Sequence, residues 1–232
     1  MSTAVINFFA HFTRFKTALQ NAPYAMLAGL GAVCGIMACL VLTGLVTPAT
    51  LPAIVAPIGA SSVLVFALPA SPLATPRAVI GGNTLSAAIG IAIGLLIPNP
   101  LLAAGLAVGL AIVLMAASRT LHPPGGAAAL TAVMLHPNTL PFSTDLTFPL
   151  LPVCLNSSIL VGVGMLFHRF SGHSYPHRAP TVPLQTQQEA GLKHEDIVSA
   201  LNATDDVFDI DTKDLERLLI LAEHHAKQHR PP

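Results

Sequence analysis

"RTLHPPGGAAAL", residues 119–130, stands between two long apolar stretches. It holds Arg119, His122, two adjacent prolines and two adjacent glycines, and then a run of small residues. Proline removes a backbone donor and disrupts a continuing helix. In lipid every remaining backbone polar group must find a partner within the protein. A chain built for lipid that breaks itself here, and brings a cation and an imidazole to the break, starts a new helix at Pro124, with Arg119 to Pro123 extended.

The surroundings are built for lipid. Of 232 residues 53% are hydrophobic and 9% are charged, against about 25% charged in soluble domains. Mean hydropathy is +0.67. From Thr17 to His168 the formally charged side chains are Arg77, Arg119 and Asp145 alone. A water-facing surface cannot be made from that composition, so this region reads as a polytopic membrane domain. Net charge is zero, which gives no case for nucleic acid. Cys34, Cys39 and Cys154 lie in apolar stretches without zinc spacing and read as small packing residues.

Four segments, 23–46, 78–97, 101–118 and 148–168, are near the roughly 20 residues a spanning helix needs. They are rich in Gly and Ala, as close-packed membrane helices are. Two more, 51–70 and 120–135, carry internal prolines and glycines and are broken. These two resemble each other. At an offset of 66 residues Pro57 meets Pro123, Gly59 meets Gly125 and Leu64 meets Leu130. Ala60, Ser61 and Ser62 then meet the small residues Gly126, Ala127 and Ala128. Each broken segment is the middle of a trio whose third member carries an Asn-Ser/Thr pair, Asn83-Thr84 or Asn156-Ser157.

The fold class expected is therefore an all-α polytopic membrane protein made of two inverted repeats of three segments. Repeat 1 covers about 23–97 and repeat 2 about 101–168, within a membrane domain at 21–170. With six crossings and a cytoplasmic N-terminus, Arg14, Lys16, Arg77, Arg119, Arg169 and Arg178 all fall on the cytoplasmic side, a positive-inside pattern. A rival drawing with four spans and two re-entrant loops leaves Arg77 and Arg119 outside. Residues 1–20, with Phe8, Phe12, Phe15 and Leu19 on one face, read as an interfacial amphipathic helix. Residues 171–190 read as a linker and 191–232 as a small soluble helical pair, its second helix capped at Asp211 or Thr212. A bacterial inner (plasma) membrane with both termini cytoplasmic is the expected location.

A helix that starts in mid-membrane leaves its first N–H groups and its positive dipole end for a ligand. The expected anion-binding residues are Pro57, Gly59, Ala60, Ser61 and Ser62 on one side, facing His122, Pro123, Pro124, Gly125, Gly126, Ala127 and Ala128 on the other. No acidic residue lies in either stretch. Arg77 and Arg119, with Asn83 and Asn156, are expected as access or supporting groups.

With "APIGASSVLVFALPASPLATPRAVIGGN" (residues 56–83) upstream, the stretch His122-Pro123-Pro124 resembles the HPP family of integral membrane proteins over roughly residues 23–169. The resemblance implies a multi-helix membrane protein and, from members in plants and cyanobacteria, nitrite transport. Family descriptions count four transmembrane helices; the repeat and the charge pattern argue here for six crossings. Some relatives carry CBS domains after a helical segment like the C-terminal pair, and residues 191–232 hold none.

Bland readings stand beside these. His122 either holds the break by a structural hydrogen bond or contacts an anion and couples it to a proton. Arg77 and Arg119 either anchor at the interface or attract anions. Ser61, Ser62, Asn83 and Asn156 either bond between helices or serve the site, and the Gly-rich breaks either pack closely or bind. His224, His225 and His229 read as a solvated helix end, so no metal and no cofactor are expected. Nor is an enzyme, since no nucleophile or acidic partner is evident beside His122. The expected function is a transporter or channel-like carrier for a small inorganic anion, nitrite favoured; the alternative is a membrane-anchored sensor or scaffold signalling through its C-terminal helices. Expected partners are that anion, membrane lipid and, as an option, a second copy in a homo-oligomer.

Overall fold

A computed structural model describes residues 3–135, 147–179, 193–204 and 209–229, with backbone alone for residues 3–22 and 228–229. The described residues contain helices and loops and no strand. Helix α1 is Thr3–Gly44, one unbroken helix with Pro23 inside it. The segment expected as an interfacial helix at 1–20 therefore leads into the first span without a break in the helical backbone. The amphipathic side chains of that expectation lie outside the described residues, as do 136–146 and the linker from 180 to 190.

Helix α2 is Pro57–Ala67, α3 is Asn83–Leu96, α4 is Pro100–Ala117, α5 is Pro123–Leu135 and α6 is Leu155–His168. A π-helical turn leads into α3 at Ala78–Gly82 and another into α6 at Pro149–Cys154. Four stretches are long and apolar enough to cross a membrane: Pro23–Gly44, Ala78–Leu96, Pro100–Ala117 and Pro149–His168. This is an integral membrane protein. Both broken segments start helices on proline, the first at Pro57 as expected and the second at Pro123, one residue before the expected Pro124. Proline suits a first helical position, where its missing N–H is no loss. Helix α4 also starts on proline, with Asn99 Oδ1 accepting the Leu102 N–H at 3.0 Å.

The directions follow from which ends meet. Tyr24 donates to the Phe66 and Ala67 carbonyls at 3.2 and 3.1 Å, and His168 Nε2 donates to the Val65 carbonyl at 2.9 Å. The start of the first span, the end of α2 and the end of α6 thus share one side. Arg77 donates to the Ser118 carbonyl at 2.7 Å, and Tyr175 to the Ala74 carbonyl at 2.9 Å, which adds the start of α3 and the end of α4 to that side. Helix α5 runs the other way from α2. Its far end packs Val133 with Ile89 and Ala103, near the start of α4.

The helices pack as two groups. Helices α1, α2 and α6 are neighbours, and so are α3, α4 and α5. Each group takes its third helix from the other half of the sequence. Small residues make the close approaches. A Cβ at Gly31 or Gly35 would lie 2.6 or 2.8 Å from the Phe66 ring, which stacks edge-on against Phe167 at 5.3 Å. A Cβ at Gly90 would strike the Ala129 carbonyl across the α3–α5 seam.

After α6 the chain turns at Gly172 (φ +80°), passes a cis Tyr175–Pro176 bond, and later forms α7 (His194–Asn202) and α8 (Thr212–His229). Asp211 caps α8 by accepting the Lys213 N–H at 2.9 Å. Helix α8 is moored to the membrane domain by Asp209, which accepts from Ser71 at 2.9 Å, and by Asp214, 2.7 Å from His177 Nε2.

Two outcomes follow from this packing. Gly90→Val forces α3 and α5 apart and lowers stability by about 1–3 kcal/mol, whereas Gly105→Ala, with open space around it, leaves the thermal midpoint in detergent micelles unchanged. Burial holds the Tyr175 phenol well above its usual pKa, so the unfolded chain loses that proton first. The folding contribution of the protonated phenol is complete below about pH 10 and is lost as pH rises further. Alkaline titration of wild type against Tyr175→Phe reads it; equal pH profiles above 10 would contradict it.

Candidate functional site

The two proline-started helices meet at their beginnings. His122 precedes Pro123 and is fully buried, and its Nε2 lies 2.8 Å from Ser61 Oγ, one turn into α2. Its Nδ1 lies 2.8 Å from the Leu73 carbonyl oxygen. A carbonyl can only accept, so Nδ1 carries the proton. In the neutral ring Nε2 then accepts the Ser61 hydroxyl proton. Asn83 Nδ2 donates to Ser61 Oγ at 3.0 Å and to Ser157 Oγ at 3.2 Å. Asn83, Ser61 and Ser157 are also fully buried. Ser61 and Ser157 belong to the α1–α2–α6 group, His122 and Asn83 to the other, so this polar nexus lies on the seam between the groups.

Local sequence explains how the extended stretch Thr120–His122 reaches that seam. It lies against the π-helical turn before α3, where a Cβ on Gly82 would come within 2.6 Å of the Thr120 carbonyl and 2.7 Å of His122 Cβ. On the other side α4 stops abruptly. Arg119 has φ +56°, the Arg119 N–H donates to Ala116 O at 3.1 Å and the Thr120 N–H to Met115 O at 2.9 Å. That is a Schellman stop with arginine where glycine is usual, at a strain of order 1 kcal/mol or more. Gly125 faces Met115 Sδ and Ser86 Oγ, which a Cβ there would meet at 2.7 and 2.8 Å.

The expected cradle of bare amides does not form as drawn. The N–H of Gly59 donates to Ala56 O at 3.0 Å and that of Gly125 to His122 O at 2.8 Å. A short i→i−3 bond at each helix start supplies the partner that lipid cannot. Gly59, Ala60 and Ala127 are exposed and Gly126 is half-buried, while Ser61, Ser62, Pro124, Gly125 and Ala128 turn inward. The residues brought together are Ser61, His122 and Asn83, joined by Ser157, which the sequence reading took only as half of a repeat pair, with Ser86, not singled out, close by against Gly125. Their signal was there: Ser86 sits one turn after Asn83, and Ser157 follows Asn156. Two buried atoms in this region have no partner, Asn83 Oδ1 and Ser86 Oγ. Ser62 donates back to Gly59 O at 2.7 Å within its own helix.

The supporting residues are corrected too. Asn156 Nδ2 donates to the Ala53 carbonyl at 3.1 Å and to that of Pro152, while Cys39 Sγ donates to the Asn156 carbonyl at 3.3 Å. It therefore tethers the chain ahead of α2 rather than joining the His122 cluster. Arg77 is engaged in closing the C-terminus of α4, a favourable place for a cation at a helix dipole. Arg119 is exposed at the same end.

A serine and a histidine at 2.8 Å also have the spacing of a nucleophile and its base. Here Ser61 Oγ already receives the Asn83 amide proton, and the Gly59 and Gly125 N–H groups that would have to stabilise an oxyanion are spent. The arrangement is a neutral hydrogen-bonded clamp joining α2, the turn at Pro72–Ala74, α3, the start of α5 and α6.

Comparison with known proteins agrees with this architecture. The family description "HPP, transmembrane region" matches residues 18–176. Two proteins of Dictyostelium discoideum, each named only as a transmembrane protein, are 49% and 48% identical to the chain over 79 residues, 32% of its length. The matched part spans 28% and 25% of those relatives. No solved structure matches.

Ser61→Ala leaves His122 Nε2 and an Asn83 amide proton unpaired in the interior. It is expected to cost about 1–3 kcal/mol, while Ser62→Ala stays within about 0.5 kcal/mol of wild type. Thermal unfolding of the two variants side by side checks this; equal midpoints would remove Ser61 from the clamp.

Proposed function

Because this chain belongs to the HPP transmembrane family, we propose that it carries a small inorganic anion across the plasma (inner) membrane, nitrite being favoured by the family resemblance. In this reading all six helices cross, both termini are cytoplasmic, and the two sequence trios are inverted repeats. Three features support the repeat: α2 and α5 run in opposite directions, each begins on a proline, and a π-helical turn precedes both Asn83 and Asn156. The arginines Arg77, Arg119 and Arg169 on one side support the orientation.

The observation that carries the reading is the His122–Ser61 contact at 2.8 Å on the seam between two helix groups. Facing half-helix starts near mid-membrane are where inverted-repeat carriers place their substrate. The moving bodies differ from a simple rocking of one trio against the other. They are α1–α2–α6 and α3–α4–α5, since each helix packs within its group.

His122 supplies a proton link. An anion in a low-dielectric interior needs a compensating charge, and none of the described side chains around His122 carries a fixed one. Ser61 Oγ has two acceptors in reach, His122 Nε2 at 2.8 Å and Pro57 O at 3.1 Å. With the ring neutral, the hydroxyl points to Nε2. When Nε2 gains a proton, its N–H donates to Ser61 Oγ and the hydroxyl turns to Pro57 O. The cation so formed pairs with the anion. The hydroxyl of Ser86, which lies beside Gly125 and has no partner among the described residues, can donate to it. Substrate and proton then travel together.

Counterflow in proteoliposomes across nitrite, nitrate, formate and chloride tests this. His122→Asn keeps a donor toward Leu73 O and loses the titratable nitrogen. Nitrite flux per folded protein is expected to fall at least tenfold and to stop responding to an imposed pH gradient, while the thermal midpoint falls by no more than in Ser61→Ala. Unchanged, gradient-driven flux in the folded variant would falsify the site.

A further inference from the structure

Where α6 leaves the membrane, the chain folds back on itself and forms an open pocket of about 430 Å³. Arg169, Arg178, His173 and Ser174 line it, with Met165 from the last turns of α6 on its apolar side. The loop is built to hold this shape. The Arg178 N–H donates to Ser174 Oγ at 3.2 Å, and Tyr175, also in the lining, is fixed by its bond to Ala74 O at 2.9 Å.

The chemistry of the lining is one-sided. It contains two guanidinium groups and two imidazoles, His168 and His173, and no carboxylate. Asp214 and Asp209, which line a neighbouring pocket with His173, are engaged elsewhere, with His177 at 2.7 Å and with Ser71 at 2.9 Å. Among the described residues neither Arg169 nor Arg178 has an acidic partner. Guanidinium groups match the planar pairs of oxygens on a phosphate and bind them bidentately.

The position selects the source of the phosphate. Arg169 directly follows His168, the last residue of the fourth span. Leu166 and Phe170 beside it are 59% and 84% exposed, large apolar side chains of the kind that acyl chains and the membrane interface cover. A soluble phosphate gains nothing from that neighbourhood, whereas a phospholipid presents its headgroup at this depth and its tails alongside α6. Cytoplasmic basic pockets at helix ends suit such headgroups. We propose that the pocket of Arg169, Arg178, His173 and Ser174 holds the phosphate of an anionic phospholipid. The bound lipid braces the loop that carries Tyr175, and Tyr175 grips the turn whose Leu73 carbonyl receives His122. The site stands whether or not the chain carries an anion.

The purified full-length chain in a neutral detergent is titrated with dioctanoyl phosphatidylglycerol, dioctanoyl phosphatidylcholine or inorganic phosphate at constant ionic strength, and the thermal midpoint is followed. Phosphatidylglycerol is expected to raise the midpoint saturably; phosphatidylcholine and inorganic phosphate are not. The double variant Arg169→Gln/Arg178→Gln is expected to weaken the apparent phosphatidylglycerol affinity at least tenfold with little change in its lipid-free midpoint. Should the double variant fail to fold, Arg178→Gln alone, at an exposed loop position, is expected to weaken it severalfold. A phosphatidylcholine shift equal to that of phosphatidylglycerol, no shift at all, or full affinity in the folded variants would overturn the proposal. An equal shift from inorganic phosphate would assign the pocket to a soluble ion and overturn the lipid.

Discussion

A helix broken inside a bilayer must account for every polar group at the break, and here one imidazole does most of that. His122 donates to the Leu73 carbonyl from one nitrogen and accepts from Ser61 at the other. Its own carbonyl takes the Gly125 N–H. Pro57, Pro123 and Pro124 remove the donors that would be hardest to satisfy. Asn83 extends the connection to Ser157. Five elements are thereby tied at one buried point, with neither a fixed charge nor a metal ligand set among the described side chains around it. Remove the ring and three of those elements lose a common partner.

The clamp gains functional meaning from the packing around it. Small residues let backbones approach at Gly31, Gly35, Gly82 and Gly90, and these contacts build two helix groups that each borrow the third helix of the other half. Each group is internally dense with apolar side chains and glycine contacts. Hydrogen bonds that can be exchanged, with Ser61 choosing between His122 and Pro57, occupy part of the seam between them. A seam that combines dry packing with a few exchangeable polar contacts is where two rigid bodies can shift without exposing backbone to lipid. Asp209, just ahead of α8, bonds Ser71 in the loop that follows α2, and Asp214 of α8 bonds His177 in the loop that follows α6, which adds two further links.

Much of this was legible in the sequence. Charge depletion and the roughly 20-residue periodicity of apolar segments located the four spans to within about two residues, because lipid thickness fixes their length. Both half-helix starts were readable to within one residue, at Pro57 and at the Pro123-Pro124 pair, because proline leaves little choice. Three things were not. Segment order does not say whether α3 packs with α2 or α5, since Gly/Ala faces are chemically alike and the choice is made by shapes such as Gly82 under Thr120. The amides of Gly59 and Gly125 looked bare because a helical period says nothing of the i→i−3 bonds that close a first turn. The pocket at Arg169 and Arg178 needed the fold-back of a loop that reads in sequence only as a proline-rich linker.

The tautomer of His122 tests the clamp most directly. With ¹⁵N-histidine-labelled protein in lipid bilayers, solid-state NMR assigned through His122→Asn should show, at neutral pH, a protonated Nδ1 and an unprotonated, hydrogen-bonded Nε2. The Nε2 resonance should move in Ser61→Ala while Nδ1 stays. An Nε2-protonated ring, or a spectrum indifferent to the loss of the Ser61 hydroxyl, would contradict the joining of the two half-helices through this side chain.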